Sequence, residues 1–176
     1  MPLAIEQVAK ATRCPLANVT QNWPLLMSAL DASGTRSDAV EVAIAATIAV
    51  ETDHTFQPIH EKMANPAKQP DLAARQAKYA PYTGRGFVQI TWMENYQAAG
   101  KAIGVDLVSN PDMANDPETA AKILVWFFVT HPSLIHNVVT AAVALRWDLV
   151  RQRVNGGLGA WDDFIGCVNA LLGVPS

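Results

Sequence analysis

The segment "SDAVEVAIAATIAVE", residues 37–51, decides the fold. Its apolar side chains follow one another without strict alternation and occupy nearly every side of a helix. A helix of that composition is stable only when other elements surround it. The spacing of Asp38 and Glu41 is a capping-box variant that marks the start of the helix. The sequence therefore predicts a buried central helix that begins at Asp38 and ends at Glu51.

The remaining segments favour an all-α fold around that helix. Half of the 176 residues are hydrophobic and only 16% are charged, and good helix formers recur throughout. In "NWPLLMSALDASG", we expect Asn22 to cap a helix, Pro24 to lie near its first turn and Gly34 to end it. Further helices are predicted in "TWMENYQAAGKAIG", in "NDPETAAKILVWFFVT" with Asp116 as its cap, in "TAAVALRWDLVRQRVNGG" and in "AWDDFIGCVNALLG". We expect one mainly α domain over residues 1–176, with little or no β structure.

Residues 62–84 differ in character from the helical segments. They carry three prolines and many polar groups, and they lack a sustained period apart from a short helix predicted from Asp71 to Tyr79. Connections of this length are usually binding elements or mobile segments. We expect a long excursion over the surface.

Charge and hydropathy exclude some classes of partner. The formal net charge is −3, and the 13 lysines and arginines form no basic stripe, which argues against nucleic acid. Residues 1–10 lack the basic and apolar regions of a secretory signal. The longest apolar stretch, Val42–Val50, is about half as long as a membrane span. We expect a protein made in the cytoplasm, without stable membrane insertion.

Cysteine and histidine spacing predicts no metal or cofactor. Cys14 and Cys167 lie near opposite ends and favour two buried thiols over one bridge. His54 and His60 invite a zinc interpretation, but they lack the spacing of two ligands on one helix, and Pro58 interrupts any helix between them.

Glu51 is a candidate general acid because it ends the apolar helix. Ile44, Thr47 and Ile48 share its helix face. Apolar surroundings and the negative end of the helix dipole both disfavour a carboxylate there, so they favour the protonated form that an acid needs. The alternative is a hydrated carboxylate that turns outward from the helix terminus. Glu61, in a polar loop, is by itself an ordinary solvated glutamate.

The segment "YTGRGFVQITWMENY", residues 82–96, has the composition of a sugar-binding cleft. Flat apolar faces suit pyranose rings, and planar amides suit hydroxyl and N-acetyl groups. Two glycines around Arg85 permit a tight backbone path. The candidate binding side chains are Gln89, Thr91, Trp92, Asn95 and Tyr96. A turn followed by an ordinary amphipathic helix is the alternative, and in "RVNGGLGAWDD" Asn155 is either a site residue or only part of a helix end.

Together these segments resemble glycoside hydrolase family 19, of the lysozyme-like superfamily that includes plant chitinases and many phage endolysins. "GRGFVQITWMENY" resembles the family motif GRG-x-x-Q-[IL]-[ST]-W, and "VNGGL" resembles its I-N-G-G motif. "NPDMANDPETAAKILVWFF" resembles the segment between them, and residues 3–30 resemble the helical opening of the bacterial and phage branch. The resemblance covers nearly the whole chain and implies a lysozyme-like helical domain with a two-lobed substrate cleft.

The resemblance assigns roles residue by residue. Glu51 matches the general acid, Glu61 the general base, and Thr91 the residue that helps to hold the attacking water. Gln89, Asn95 and Asn155 match polar substrate contacts, while Gly84, Arg85 and Gly86 are expected to shape the site. The implied chemistry is inverting hydrolysis, which needs the two carboxyl groups about 6.5–9.5 Å apart and requires no cofactor.

The interval between the glutamates favours one branch of the family. Plant chitinases keep them farther apart, with a histidine before the first, whereas Val50 stands there in this chain. The short interval is typical of the phage and bacterial branch. We therefore expect a monomeric endolysin that cuts peptidoglycan glycan strands at the cell wall or periplasm, after a holin gives it access. The alternatives are a chitinase and a non-catalytic wall-binding module.

Overall fold

The computed structural model describes residues 2–130 and 138–174 of the chain. Within these residues the regular secondary structure is almost entirely helical, with two strands of two residues each. The helices are α1 (Ile5–Thr12), α2 (Leu16–Ser33), α3 (Asp38–Glu51), α4 (Pro70–Ala77), α5 (Met93–Ile103), α6 (Pro117–Thr130), α7 (Val138–Val143), α8 (Trp147–Asn155) and α9 (Trp161–Leu172), and a 3-10 helix covers Pro111–Asn115. The predicted mainly α fold is confirmed.

Helix α3 lies at the centre of the molecule, as its composition predicts. Residues 40–49 are buried without interruption, and α3 packs against α1, α7, α8 and α9. Burial of Ile44 and Ile48 alone contributes roughly 1.5–3 kcal/mol each. The central position fixes the end of α3, and with it Glu51, relative to four other helices.

The start of α3 differs in detail from the prediction. Ser37 is the cap, since its Oγ accepts from the Val40 amide at 3.3 Å, and Asp38 is the first helical residue. Glu41 is buried and accepts from Arg36 Nε at 2.7 Å and from the Leu3 amide at 2.8 Å. Its carboxylate therefore makes tertiary contacts instead of completing a capping box.

The predicted start of α2 is wrong by almost two turns. The helix begins at Leu16 and continues through Pro24 to Ser33, where Gly34 ends it as expected. Asn22 is buried inside the helix, and its Nδ2 donates to the Phe56 carbonyl at 2.8 Å. A tertiary contact thus overrides the local preference of asparagine for a helix start.

The segment predicted as one helix before "NGG" forms two helices, α7 and α8. Leu145 interrupts them with a left-handed φ of 54°. The other predicted helices are confirmed as α4, α5, α6 and α9, and Asp116 caps α6 by accepting from the Thr119 amide at 3.0 Å.

The two strands form a small antiparallel pair, called the hairpin below, although residues 61–84 with helix α4 separate them in sequence. Strand β1 (Ile59–His60) pairs with β2 (Arg85–Gly86), with Ile59 opposite Gly86. The pairing brings the start of the long polar segment next to the glycine motif.

Two further predictions concern the cysteines and the membrane. Cys14 and Cys167 are buried free thiols, and burial raises the pKa of Cys14 to about 11. Among the described residues, no helix is both long enough and apolar enough to span a bilayer.

Candidate active site

Glu51 lies at the end of α3 and contacts a buried cation. Its side chain is 15% exposed, and Arg151 Nη1 of α8 donates to its Oε1 at 2.5 Å. Arg151 is 3% exposed, and its Nε donates to the Gly159 carbonyl at 2.6 Å. The sequence predicts apolar surroundings that favour the protonated carboxyl. The structure adds a buried guanidinium in contact with the Glu51 side chain.

The loop after Glu51 is fixed to α2. Asn18 Nδ2 donates to the Thr55 carbonyl at 2.7 Å, and Asn22 Nδ2 donates to the Phe56 carbonyl. Phe56 is fully buried, and its amide donates to Thr52 Oγ1 at 3.0 Å. The segment that separates the two glutamates is therefore anchored at Thr55 and Phe56 by buried and partly buried hydrogen bonds.

Glu61 follows β1 and is surrounded by neutral donors. The Gly84 amide donates to Oε1 at 2.9 Å, and the Glu61 amide donates back to the Gly84 carbonyl at 2.8 Å. On the other side, Gln76 Nε2 and the Tyr79 hydroxyl each donate to Oε2 at 3.4 Å. Burial and the nearby Glu61 raise the pKa of Tyr79, which keeps its hydroxyl in the donor form.

Both glycines of the "GRG" motif are required by close packing. A Cβ on Gly84 would lie 2.9 Å from Gln89 Oε1 and 3.4 Å from the Glu61 side chain. Gly86 has a φ of +81°, and a Cβ there would lie 2.8 Å from the Ala114 carbonyl. Gly84 therefore allows the backbone to approach Glu61 closely enough to donate to it.

Arg85 organises the hairpin from within the core. It is 5% exposed, pairs with Asp112 at 2.9 Å, and donates to the Pro81 carbonyl at 2.9 Å and to the Tyr96 hydroxyl at 3.1 Å. The Tyr96 hydroxyl donates in turn to the Thr83 carbonyl at 2.7 Å. These contacts agree with the structural role expected for Arg85.

The structure corrects the expectation that Tyr96 contacts substrate. The side chain is fully buried, so its ring has no face on which a sugar can stack. The amphipathic period of α5 points Tyr96 inward and leaves Trp92, just before the helix, at the surface. The buried Tyr96 hydroxyl instead stabilises the "GRG" motif through its hydrogen bonds with Arg85 and Thr83.

Gln89 and Thr91 hold the turn after β2. Gln89 Nε2 donates to the carbonyls of Ile59 at 3.0 Å and Gly86 at 2.9 Å, so a ligand could contact only the amide oxygen. The Thr91 hydroxyl donates to the Gln89 carbonyl at 2.8 Å. Its oxygen lone pairs are thereby oriented to accept, as a residue that holds a water must do.

The remaining predicted binding residues lie at the surface or partly exposed. Trp92 is 46% exposed, and its ring meets that of Tyr79 edge-on at 5.2 Å. Asn95 is partly buried and donates to the Thr91 carbonyl at 2.8 Å. Asn155 ends α8 as an exposed residue near Gly159. Their roles toward a substrate stay predictions.

The two histidines make protein contacts. His54 Nδ1 lies 2.7 Å from the Thr12 carbonyl and Nε2 lies 2.8 Å from Asp163, which also pairs with Arg13. His60 Nε2 lies 2.7 Å from Thr83 Oγ1, and burial, followed by the charge of Arg85, lowers the pKa of His60. No group of three metal-ligating side chains occurs within residues 2–130 and 138–174.

Sequence reasoning missed Arg151, Gln76 and Tyr79. The signal for Arg151 was available, because Trp147, Val150 and Val154 place it on the apolar face of its helix. An arginine there needs a carboxylate partner. Gln76 and Tyr79 gave no comparable signal in the sequence, because only the folded path of the loop brings them to Glu61, which lies 15 and 18 residues earlier in the chain.

Comparison with known proteins decides the family. The family model described as chitinase class I, of glycoside hydrolase family 19, matches residues 37–160, which include both glutamates, the hairpin and Arg151. The chain belongs to glycoside hydrolase family 19. Two solved chitinases share the fold. A variant of chitinase C has a TM-score of 0.72 at 25% identity, over 98% of this chain and 91% of its own. A bacterial family 19 chitinase has a TM-score of 0.67 at 25% identity, over 97% and 95%.

The chain is also similar to several curated plant chitinases. Chitinase 11 of Oryza sativa subsp. japonica is 47% identical over 64 residues, which cover 34% of this chain and 25% of the relative. An endochitinase of Avena sativa is 39% identical over 95 residues, 52% of this chain and 46% of the relative. The chain thus spans between a quarter and a half of these two relatives' lengths. The phage endolysin branch stays a prediction.

Proposed function

We propose that the protein hydrolyses β-1,4 bonds between N-acetylated sugars and that chitin oligomers are its substrate. One observation carries the proposal: two glutamates separated by an anchored loop have different partners, a buried cation for Glu51 and neutral donors for Glu61. The names of the plant and bacterial relatives support chitin as the polymer.

Glu51 acts as the general acid in the proposed reaction. Arg151 contacts Oε1, so Oε2 carries the proton that passes to the oxygen of the leaving sugar. The transfer leaves a carboxylate beside Arg151, whose charge is already in place to stabilise it. Arg151 has no conformational change to make at that moment, because its Nε is held by the Gly159 carbonyl.

Glu61 acts as the general base. Donors on both of its oxygens stabilise the carboxylate, which then accepts a proton from the attacking water. The second hydrogen of that water is donated to Thr91 Oγ1, whose own proton is directed to the Gln89 carbonyl. Attack from the face opposite the leaving group inverts the anomeric carbon.

The test uses purified wild type and the variants E51Q and E61Q with chitin hexamer. Both substitutions keep the size of the side chain and remove its acid–base function. We expect each variant to fold and to lose activity by at least about a hundredfold. A folded E51Q variant that cleaves the hexamer at the wild-type rate contradicts the proposal.

Purified peptidoglycan is the comparison substrate, because it offers the same N-acetylglucosamine ring. The short glutamate interval favours it, whereas the named relatives favour chitin. Mass spectrometry of the products from both polymers separates the two substrates. Release of fragments from neither polymer, with retention on both, favours a binding module. Holin dependence and action at the cell wall are further proposals that follow only if peptidoglycan is cut.

A further inference from the structure

Helix α4 and the turn that follows it belong to the long polar segment, and they supply two side chains that reach Glu61, Gln76 from the helix and Tyr79 from the turn. Gln76 is 2% exposed, and it mainly ties the segment together. Its Oε1 accepts from the Ala64 amide at 2.7 Å, and its Nε2 donates to the Lys62 carbonyl at 3.0 Å. Its contact with Glu61, at 3.4 Å, is the longest of the three. Gln76 therefore fixes the backbone around the base.

Tyr79 differs from Gln76 because it touches both Glu61 and the exposed aromatic surface. The hydroxyl donates to Glu61 Oε2 at 3.4 Å, while the ring packs edge-on against Trp92 with an interplanar angle of 64°. Tyr79 itself is half-buried. One side chain thus connects the base to the residue best placed to stack on a sugar.

The position of Trp92 is strongly determined by its surroundings. Its φ is +74°, an uncommon value for a bulky residue. Such a conformation persists only where neighbouring contacts enforce it. The Trp92 amide donates to the Tyr82 carbonyl at 3.0 Å, and the Trp92 carbonyl accepts from the Tyr96 amide at 3.1 Å. The backbone therefore holds the indole against Tyr79.

We propose that Tyr79 is a positioning residue for Glu61, and that its contact with Trp92 couples the orientation of the base to sugar binding. The inference rests on the proposed function, in which Glu61 is the base. Hydrogen bonds in unoccupied active sites are often long and shorten when substrate binds. A sugar packed on Trp92 confines the indole, and the indole confines the Tyr79 ring, so the hydroxyl approaches Glu61.

The substitution Y79F tests the positioning role, because it keeps the ring and removes only the hydroxyl. We expect kcat on chitin hexamer to fall about three- to tenfold, with KM changed less than about twofold. Loss of a donor to the carboxylate also moves the acidic limb of the kcat–pH profile to higher pH. A merely structural role would lower kcat equally at every pH. That result, or a wild-type profile, overturns the proposal.

Y82F is the matched control. Tyr82 lies in the same segment, and its hydroxyl donates to the Val108 carbonyl at 3.3 Å, away from Glu61. We expect Y82F to keep the wild-type kcat and the wild-type acidic limb. An equal shift in Y82F and Y79F contradicts a specific role for Tyr79.

The coupling to Trp92 is tested by a double-mutant cycle. Trp92 makes no contact with Glu61 among the described hydrogen bonds, so W92A should move the acidic limb only through Tyr79. We expect W92A to shift it in the same direction as Y79F, and W92A/Y79F to shift it no further. Additive shifts overturn the coupling. E61Q separates this result from the proposed function: an active E61Q variant refutes Glu61 as the base, whatever Tyr79 does.

Discussion

The two ends of the anchored loop hold their glutamates in different ways. At Glu51 the partner is one buried cation, Arg151, and the carboxylate side chain is 15% exposed. At Glu61 the partners are an amide, a carboxamide and a phenol, all neutral. A general acid changes from neutral to charged during the reaction, so a fixed cation helps it most in the product state. A base starts charged, and neutral donors hold it without pairing it too strongly to accept a proton.

We expect the largest effect on activity from removal of the cation beside Glu51, the Arg151 guanidinium. R151M keeps an unbranched apolar stem, removes the guanidinium and leaves the new charge on Glu51 without a partner. We expect kcat to fall about a hundredfold, a loss of the size seen when one electrostatic stabiliser is removed. Steady-state kinetics on chitin hexamer measure it. Q152M, at an exposed neighbour on the same helix, is the control. If R151M and Q152M lowered kcat equally, the Arg151 guanidinium would have no specific role in catalysis.

Gly84 and Gly157 should differ in how well they tolerate a side chain. In G84A the new Cβ lies 2.9 Å from Gln89 Oε1 and 3.4 Å from Glu61, so the amide that donates to Glu61 must shift. We expect kcat to fall about tenfold or more. G157A, in the loop after α8, meets nothing within 4 Å and should stay within about twofold of wild type. A G84A variant with wild-type kcat would mean that the Gly84 amide does not position the base.

Trp92, the proposed platform for a sugar ring, is exposed beside Tyr79, on the side of the proposed base. W92A removes the flat apolar face, so we expect KM for chitin hexamer to rise about three- to tenfold. The fall in kcat should be smaller than that produced by R151M. Initial rates over a range of hexamer concentrations separate the two parameters. An unchanged KM would exclude Trp92 as a sugar platform.

The smallest effect concerns Asp163, which contacts His54 in the loop after Glu51. Burial alone would raise the pKa of Asp163, but hydrogen bonds from His54 and Arg13 outweigh it and lower the pKa below its usual value of 3.8. The stabilisation is therefore complete above about pH 4 and is lost as the pH falls through the lowered pKa. We expect D163N to reduce the Tm by about 1–3 °C at neutral pH, and the difference from wild type to shrink below pH 4. Calorimetry of D163N and wild type at several pH values measures this Tm difference. A Tm difference that is constant down to pH 2 contradicts the account.

The sequence predicts more of the surroundings of Glu51 than of the surroundings of Glu61. The composition of residues 37–51 indicates both the central helix and the terminal position of Glu51, because a helix that is apolar all round has only one place in a small domain. Its partner Arg151, however, is 100 residues away in sequence, and only tertiary structure brings the two together.

The base side depends almost wholly on contacts that have no local pattern. Glu61 is a loop glutamate until the hairpin places Gly84 beside it, and Tyr79 lies in a segment with no sustained period. Asn22 and Tyr96 show the same limit. Local rules make one a helix cap and the other a sugar contact, yet tertiary packing buries both. Family resemblance supplied Glu61 where physical patterning did not.

The most direct test of the different roles uses a chitin oligomer with a nitrophenolate leaving group. Such a group departs without protonation, so an acid is no longer needed, whereas the attacking water still needs a base. We expect E51Q to recover most of the wild-type rate on this substrate and E61Q to remain at least about a hundredfold slower. If E51Q stays as inactive as it is on chitin hexamer, or if E61Q is the variant that recovers, the assignment of acid and base is wrong.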